Sequence, residues 1–479
     1  MTSYYVATTG DDEDSGATDA PFATVGHAIS VVAPGDTIYV RDGTYYEALT
    51  LSADGTAGSG ITLTSDTGAS PILSGAQLKS GFALSFGKTY TYEVAQTVAV
   101  SGVFEDTATK LTSRASIALV EANAGSYFYD DANDLLHMHC TDGADPATHT
   151  IEAAVNAYHV HVTGDYWTVS GLTIQHSAAS GVRLSAGTSH VTECTLRYNV
   201  GAGAYIDSDN ARLTRCKAHN NTGQGVFVYA DGVTLEYNHV HHNTANGIDT
   251  SAIDGTNTDL VARYNFCHNN VVGIHTWYND RAHIYRNTCI DNSSYGIEID
   301  QGSDTAIVEH NICHGNGQYG VVCKRNENSM VRNNYCGSHG IAGIYVKSCG
   351  GSYGTDGTTV SDNMCADNAL HGVYISHDAG AGDEPCENVV LSENSLISNA
   401  SQITVAADNN PGFASDNNHF LIVAAQNAGT WLGAACETLT AWQTASSGDA
   451  ASDGILGAID LWETIISSGN STSSGFFGL

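Results

Sequence analysis

Glu298 and Asp300 stand two residues apart in Gly296-Ile-Glu-Ile-Asp300, a spacing that sends both carboxylates to one side of an extended strand. A carboxylate pair on one side has the hardness to hold calcium, with Asp249 or Asp254 available from neighbouring segments. Lys324 lies one sequence period further on and would serve as a base if its pKa were lowered, with Arg325 or Lys347 binding negative charge. Tyr229, Asp249, His275 and Glu298 form a second set, able to supply a proton donor and an acceptor. Trp277, Tyr345, Tyr374 and Tyr205 add aromatic faces against which sugar C–H faces can stack.

These residues fall into columns because the chain repeats. Asn265, Asn287, Asn311, Asn334 and Asn363 each precede a cysteine by two residues, at intervals of 22, 24, 23 and 29. Asn238 and Asn394 extend the column, and Cys194 and Cys216 take its place in two earlier periods. Five residues on runs Asn199, Asn221, Asn243, Asn270, Asn292, Asn316, His339, Asn368 and Asn399. A glycine column from Gly203 to Gly372 then opens short alternations of apolar residues. Periods of 20–30 residues, with Asn and Gly turns and no helical periodicity, predict an all-β solenoid, the right-handed parallel β-helix, with three short strands per coil. Coils stack ~4.8 Å apart, so asparagines form axial ladders and Cys267 to Cys365 an inward, reduced column.

Reading alternation outward from each glycine gives one face: Arg183 and Ser185, Tyr205 and Asp207, Phe227 and Tyr229, Asp249 and Ser251, His275 and Trp277, Glu298 and Asp300, Val322 and Lys324, Tyr345 and Lys347, Tyr374 and Ser376. A second outward column, His219, His241, His268 and His314, reads as a polar ladder, with zinc or copper binding as the alternative.

Four segments follow: 1–84, an N-terminal cap and first coils; 85–155, an inserted β-hairpin element that breaks the period; 156–425, the main β-helix; and 426–479, a C-terminal cap and tail. Phe22, Val25, Ala28, Ile29 and Val32 keep helical spacing, suited to covering the open end of a solenoid. Segments 438–445 and 458–467 read as short helices, and the apolar Gly475–Leu479 as a cap or a contact with a neighbour.

Composition removes whole classes of function. Acidic residues number 51 against 17 basic ones, a formal charge of −34, so a phosphate-binding surface for nucleic acid is not expected. No stretch approaches the ~18 consecutive apolar residues of a membrane span. The opening MTSYYVATTG lacks a signal-peptide pattern, so either a signal has been removed from an extracellular protein or the protein is assembled inside a cell as part of a virion.

The opening Tyr4-Tyr-Val-Ala-Thr-Thr-Gly-Asp-Asp12, the Ala20-Pro-Phe-Ala-Thr24 cap, the Pro34-Gly-Asp-Thr-Ile-Tyr-Val40 strand and the Asn/Gly coils resemble the right-handed parallel β-helix superfamily of carbohydrate-active proteins. The resemblance spans roughly residues 4–420. It implies an acidic-polysaccharide lyase of the chondroitinase B, alginate lyase or family nine pectate lyase type, a mannuronan C5-epimerase, a glycoside hydrolase or a phage tailspike. For a lyase, calcium on Glu298, Asp300 and Asp249 would neutralise the substrate carboxylate, and Lys324 would remove the C5 proton. An epimerase would use Tyr229, Asp249, His275 and Glu298, although the Asp-Pro-His motif of that family is absent; a hydrolase would pair Asp249 or Glu298 with Asp300. The lyase is the leading expectation. The rival class is a structural or adhesive β-helix that binds glycan without turnover, a homo-oligomer and a trimer if viral.

Overall fold

The structure, a computed structural model, describes residues 1–251, 257–348, 355–377, 386–406 and 413–421, together with short pieces between 427 and 454. Among the described residues three sheets of 14 strands each, parallel except for the last pair of one of them, stack coil upon coil. One sheet carries the outward column and includes Ile248–Thr250, Val272–Trp277, Tyr295–Asp300, Tyr319–Lys324 and Ala342–Ser348. A second carries the cysteines, as in Phe266–His268, Thr288–Ile290 and Ile312–His314. The third includes Val261–Arg263, His283–Tyr285 and Ile307–Glu309. The expected β-helix is therefore the observed fold.

Register follows the repeat. Cys267, Cys289, Cys313, Cys336 and Cys365 pair directly down their sheet; they are fully buried and reduced. Val, Ile and Leu from all three sheets fill the rest of the interior, forming one continuous core from Val6 to Phe420. β-branched residues suit such narrow strands because they pack well on a pleated surface.

The corners are made by residues in the left-handed region, each followed by a ladder asparagine. Tyr264, Arg286, His310, Asn333 and Asp362 hold φ between 54 and 56° at one corner of successive coils. The next residue, asparagine, hides its amide in the core and satisfies the exposed ends of the backbone there. Asn287 shows the pattern: its backbone N–H and its Nδ2 donate to Asn311 Oδ1 at 2.9 and 3.0 Å, and Nδ2 also donates to Ala262 O at 2.9 Å. The second ladder does the same from Asn199 to Asn399. At His339 an imidazole stands in, with Nδ1 accepting from Asn316 N–H at 3.2 Å and burial pushing the ring pKa down to about 3. The glycine column is needed where coils meet: a Cβ on Gly296 would lie 2.6 Å from Gly320 O and 2.9 Å from Asn316 Nδ2.

The open N-terminal end is closed by the helix Val25–Val31, capped by Thr24, whose Oγ1 accepts from His27 N–H at 3.1 Å. Val25, Ala28 and Ile29 enter the core. Between Ala76 and Ala154 the coil is interrupted by two small sheets with antiparallel pairing, of four and five strands, and the short helix Ile117–Glu121. This insert has its own core around Val103, Leu136 and Met138. It leans on the solenoid where Phe104 stacks on His176 at 4.0 Å and Lys110 Nζ donates to Thr222 Oγ1 at 2.7 Å. Segments 438–445 and 458–467, read as helices, lie outside the described residues apart from Gln443, and so does Gly475–Leu479. No helix among the described residues is long and apolar enough to cross a membrane.

Replacing Asn311 by alanine removes the acceptor of Asn287 N–H and Nδ2 and the amide that donates to Ile284 O and Asn334 Oδ1. The expected loss is about 2–5 kcal/mol, read as a lowered thermal unfolding midpoint. Replacing His339 by asparagine restores the ladder and is expected to leave the midpoint unchanged or raise it.

Candidate active site on the outer face of the long-stranded sheet

Ala204–Ile206, Val226–Val228 and Ile248–Thr250 are three residues long, but the next strands of this sheet, from Val272 to His377, lengthen to six or seven, extending the outer face. Strand pairing places Phe227, Asp249, His275, Glu298, Val322, Tyr345 and Tyr374 one above another. Trp277 pairs with Asp300, Lys324 with Lys347, and Lys347 with Ser376 in the flanking column. Inward neighbours such as Ile297 and Ile299 are fully buried.

Three successive coils bring Asp249, His275 and Glu298 into a line. Asp249 Oδ1 accepts from His275 Nδ1 at 2.6 Å, and His275 Nε2 is 3.8 Å from Glu298 Oε2. The other oxygen of Asp249 accepts from Gln224 Nε2 at 3.1 Å, and Asn246 Nδ2 lies 3.4 Å from His275 Nδ1. Burial works against the imidazolium, but the bond to Asp249 and the charges of Asp249, Glu298 and Asp300 outweigh it, holding the His275 pKa above its ordinary value. Burial also raises Glu298, which is 7% exposed; the positive charges of His275 and Lys324 oppose this without cancelling it.

Beside this line sits a compact ion cluster. Lys324 Nζ donates to Asp300 Oδ2 at 2.9 Å and lies 3.7 Å from Glu298 Oε1. Arg325 clamps the same carboxylate, with Nε and Nη2 donating to Oδ1 at 3.0 and 2.9 Å and Nη2 to Oδ2 at 3.0 Å. Arg325 reaches back because its backbone is left-handed, φ 53°, directly after the strand. Two cations face the Asp300 carboxylate here, with Glu298 in ion-pair range of Lys324.

Two sequence expectations change here. Lys324 was to be a base with a lowered pKa; burial does disfavour its charge, yet Asp300 and Glu298 prevail and its pKa is raised. It is a held cation, not a proton acceptor. The calcium set also fails to fit. Of Glu298, Asp300 and Asp249, both oxygens of Asp300 are engaged by Lys324 and Arg325 and Asp249 Oδ1 is bonded to His275; the donor atoms within 4.8 Å of one another are those of Glu298, Asp300 and the His275 ring instead. Asp254 lies outside the described residues.

The aromatic residues divide. Trp277 is 39% exposed, at the edge of the Asp249–His275–Glu298 line, and offers a platform. Tyr345 does not: it is 7% exposed, stacked between Tyr319 at 4.7 Å and Tyr374 at 4.8 Å, with its hydroxyl 2.8 Å from Ser376 Oγ. Burial raises its pKa, and raises that of Tyr319 to about 12. Tyr374 and Lys347 remain half-buried at that end of the face. Tyr205 stacks on Phe227 at 5.3 Å at the other end, where Arg183 lies between Tyr205 and Tyr158 and donates to Asp207 and to the Tyr158 hydroxyl. Tyr229 follows Val226–Val228, its N–H donating to Ile206 O at 2.7 Å, one coil before Asp249.

Several members of this surface were missed by alternation from the glycine alone. Gln224, Asn246, Tyr295 and Tyr319 each immediately precede a column glycine and return to the outer face. The recurrence of large or polar residues at that position is the signal that would have found them. Tyr158 and His161 of the strand Tyr158–Val162 belong to a coil whose glycine is missing, so no column marked them.

The comparisons with known proteins agree with this architecture. Residues 4–151 match the family described as "Pel9A-like, right handed beta helix region", and residues 158–276 and 250–355 match "Right handed beta helix region". A curated relative, the uncharacterized protein YwoF of Bacillus subtilis (strain 168), is 37% identical over 71 residues, 15% of each chain. Among solved structures, the complex of XylC with xylose aligns over 89% of this chain and 85% of its own, with 13% identity and TM-score 0.62. The Dettilon tailspike protein aligns over 85% and 68%, with 13% identity and TM-score 0.53. Stacked parallel sheets, ladder register and both family matches place the chain in the right-handed parallel β-helix superfamily.

Proposed function

We propose that this protein is a lyase of an acidic, uronate-containing polysaccharide, acting outside the cell or on a virion surface, with Glu298 as base and His275 as acid. The supporting observation is that Asp249, His275 and Glu298 line up beside the Asp300–Lys324–Arg325 cluster, all on one face of one sheet. Groups on a flat face reach a bound sugar from one side. Epimerisation needs a donor and an acceptor on opposite faces of the ring, and inverting hydrolysis activates water on the far face. Syn β-elimination needs only one side: the C5–H and C4–O bonds break, the C4=C5 bond forms, and a proton is taken and another given nearby.

The roles follow from the electrostatics. A Glu298 carboxylate with a raised pKa is a stronger base than an ordinary one. His275, kept protonated through its bond to Asp249, gives a proton to the departing oxygen. Lys324 and Arg325 pair with the uronate carboxylate and make the C5 proton more acidic, supplying the positive charge at that point. Trp277 stacks on a sugar ring next to the reacting one. The wider chain is strongly negative, so this local positive charge selects where a polyanion can settle.

Incubation with alginate, pectate, chondroitin and related uronates is expected to generate ultraviolet absorbance from the unsaturated uronate on one of them, with chelator having no effect. Glu298→Gln and His275→Gln are each expected to lower kcat about 10²–10⁴-fold, while Lys324→Ala raises KM more than it lowers kcat. A flat trace on every polymer with retained glycan binding would overturn the lyase and leave a glycan-binding fibre or tailspike subunit.

Activity is expected to follow a bell in pH. The rising limb tracks Glu298 losing its proton, above the usual carboxylate value, and the falling limb tracks His275 losing its proton, above the usual histidine value. Asp249→Asn removes the main support for imidazolium and moves the falling limb to lower pH. A falling limb that stays in place in this variant contradicts the assignment of His275 as acid.

A further inference from the structure

We propose that the insert carries a zinc site made by Glu105, Cys140, His149 and Asp106, separate from the solenoid face. The sulfur, a ring nitrogen and a carboxylate oxygen of Cys140, His149 and Glu105 all lie within 4.8 Å of one another. A thiol and an imidazole together select a borderline d-block cation over calcium, and Cys, His and carboxylate are zinc's ordinary donors.

The imidazole is oriented for ligation. His149 Nδ1 faces the donors, 2.8 Å from Asp106 Oδ2 and 3.6 Å from Glu105 Oε1. Its Nε2 lies 3.3 Å from Asp142 Oδ1. Zinc on Nδ1 would displace the proton shared with Asp106, with Nε2–H left facing Asp142, the carboxylate–histidine arrangement that commonly supports zinc. Glu105 is held from behind, accepting from Thr141 N–H at 3.0 Å and from Thr141 Oγ1. Among the described residues, Glu105, Asp106 and Asp142 have no ion-pair partner except His149. Three carboxylates around one imidazole leave an excess of negative charge that a divalent cation removes.

The placement gives the metal a structural task. Glu105 ends the strand Gly102–Glu105 and His149 precedes Ile151–Ala154, which pair in the four-stranded sheet. Cys140 directly follows Leu135–His139 of the five-stranded sheet. A single ion would tie the two sheets together. Only eight buried residues make the insert's own core, and a core that small gains much from a metal staple.

The test equilibrates the full chain with zinc chloride, dialyses it, and measures bound zinc by mass spectrometry and by competition with a chromogenic chelator. One zinc per chain is expected, retained in Glu298→Gln, which disables the acidic cluster of the solenoid face. Asp142→Asn, which touches no ligand bond, is expected to weaken binding about 10–100-fold, and Cys140→Ser more. Cobalt in place of zinc is expected to give a thiolate charge-transfer band in the parent chain that Cys140→Ser lacks. That band needs no variant to fold, so its absence from the cobalt-loaded parent overturns the site. Equal zinc affinity in the parent, Asp142→Asn and His149→Gln overturns it as well.

Discussion

The hydrogen bond from one coil's asparagine to the next is the interaction on which this molecule depends. A three-residue strand has little pairing of its own to choose a register, and a slip by one residue would exchange the inner and outer faces. Each ladder amide binds the coil above through its oxygen and the coil below through its nitrogen, inside the core where an unpaired amide is costly. The two ladders stay five residues apart in every coil from Asn238/Asn243 to Asn394/Asn399. Unequal coil lengths must therefore be absorbed elsewhere. Gly247 precedes Asn265 by 18 residues and Gly273 precedes Asn287 by 14, so the added length falls beyond the outer-face strand. The rim varies while the floor keeps its register.

That constraint brings residues distant in sequence into one line. Asp249, His275 and Glu298 are separated by 26 and 23 residues, yet they meet because each holds the same place after its glycine. Parallel pairing then sets their spacing, with no need for a mobile loop to close. Burial does the rest. In a site poorly exposed to water, the neighbouring acids raise His275 and Lys324 against the cost of burial, while burial itself raises Glu298.

Much of this was legible in the sequence because a β-helix is nearly one-dimensional. The Asn, Cys and Gly columns specified coils, turns and the interior, and alternation from the glycine identified the outward line from Arg183 to Tyr374. Ionisation was less legible. Glu298 and Asp300 look equivalent as neighbours on a strand, but Arg325 turns back through a left-handed residue to bind Asp300 alone. One carboxylate is thereby held by cations on both oxygens, and the other is left with a raised pKa. Tyr345 was equally deceptive: an outward position in a stack of tyrosines is covered by its neighbours.

The insert was opaque for the opposite reason. Glu105, Cys140 and His149 follow no period, and they come together through antiparallel pairing and a turn at Pro146–Thr148. A repeat tells the reader which residues share a column, since position in the coil substitutes for contact. Outside the repeat, only the fold itself tells which ligands meet. The two regions also place acidic groups differently. On the solenoid face, lysine, arginine and histidine accompany the acids. In the insert, one histidine faces three carboxylates, an imbalance that calls for a cation from solution.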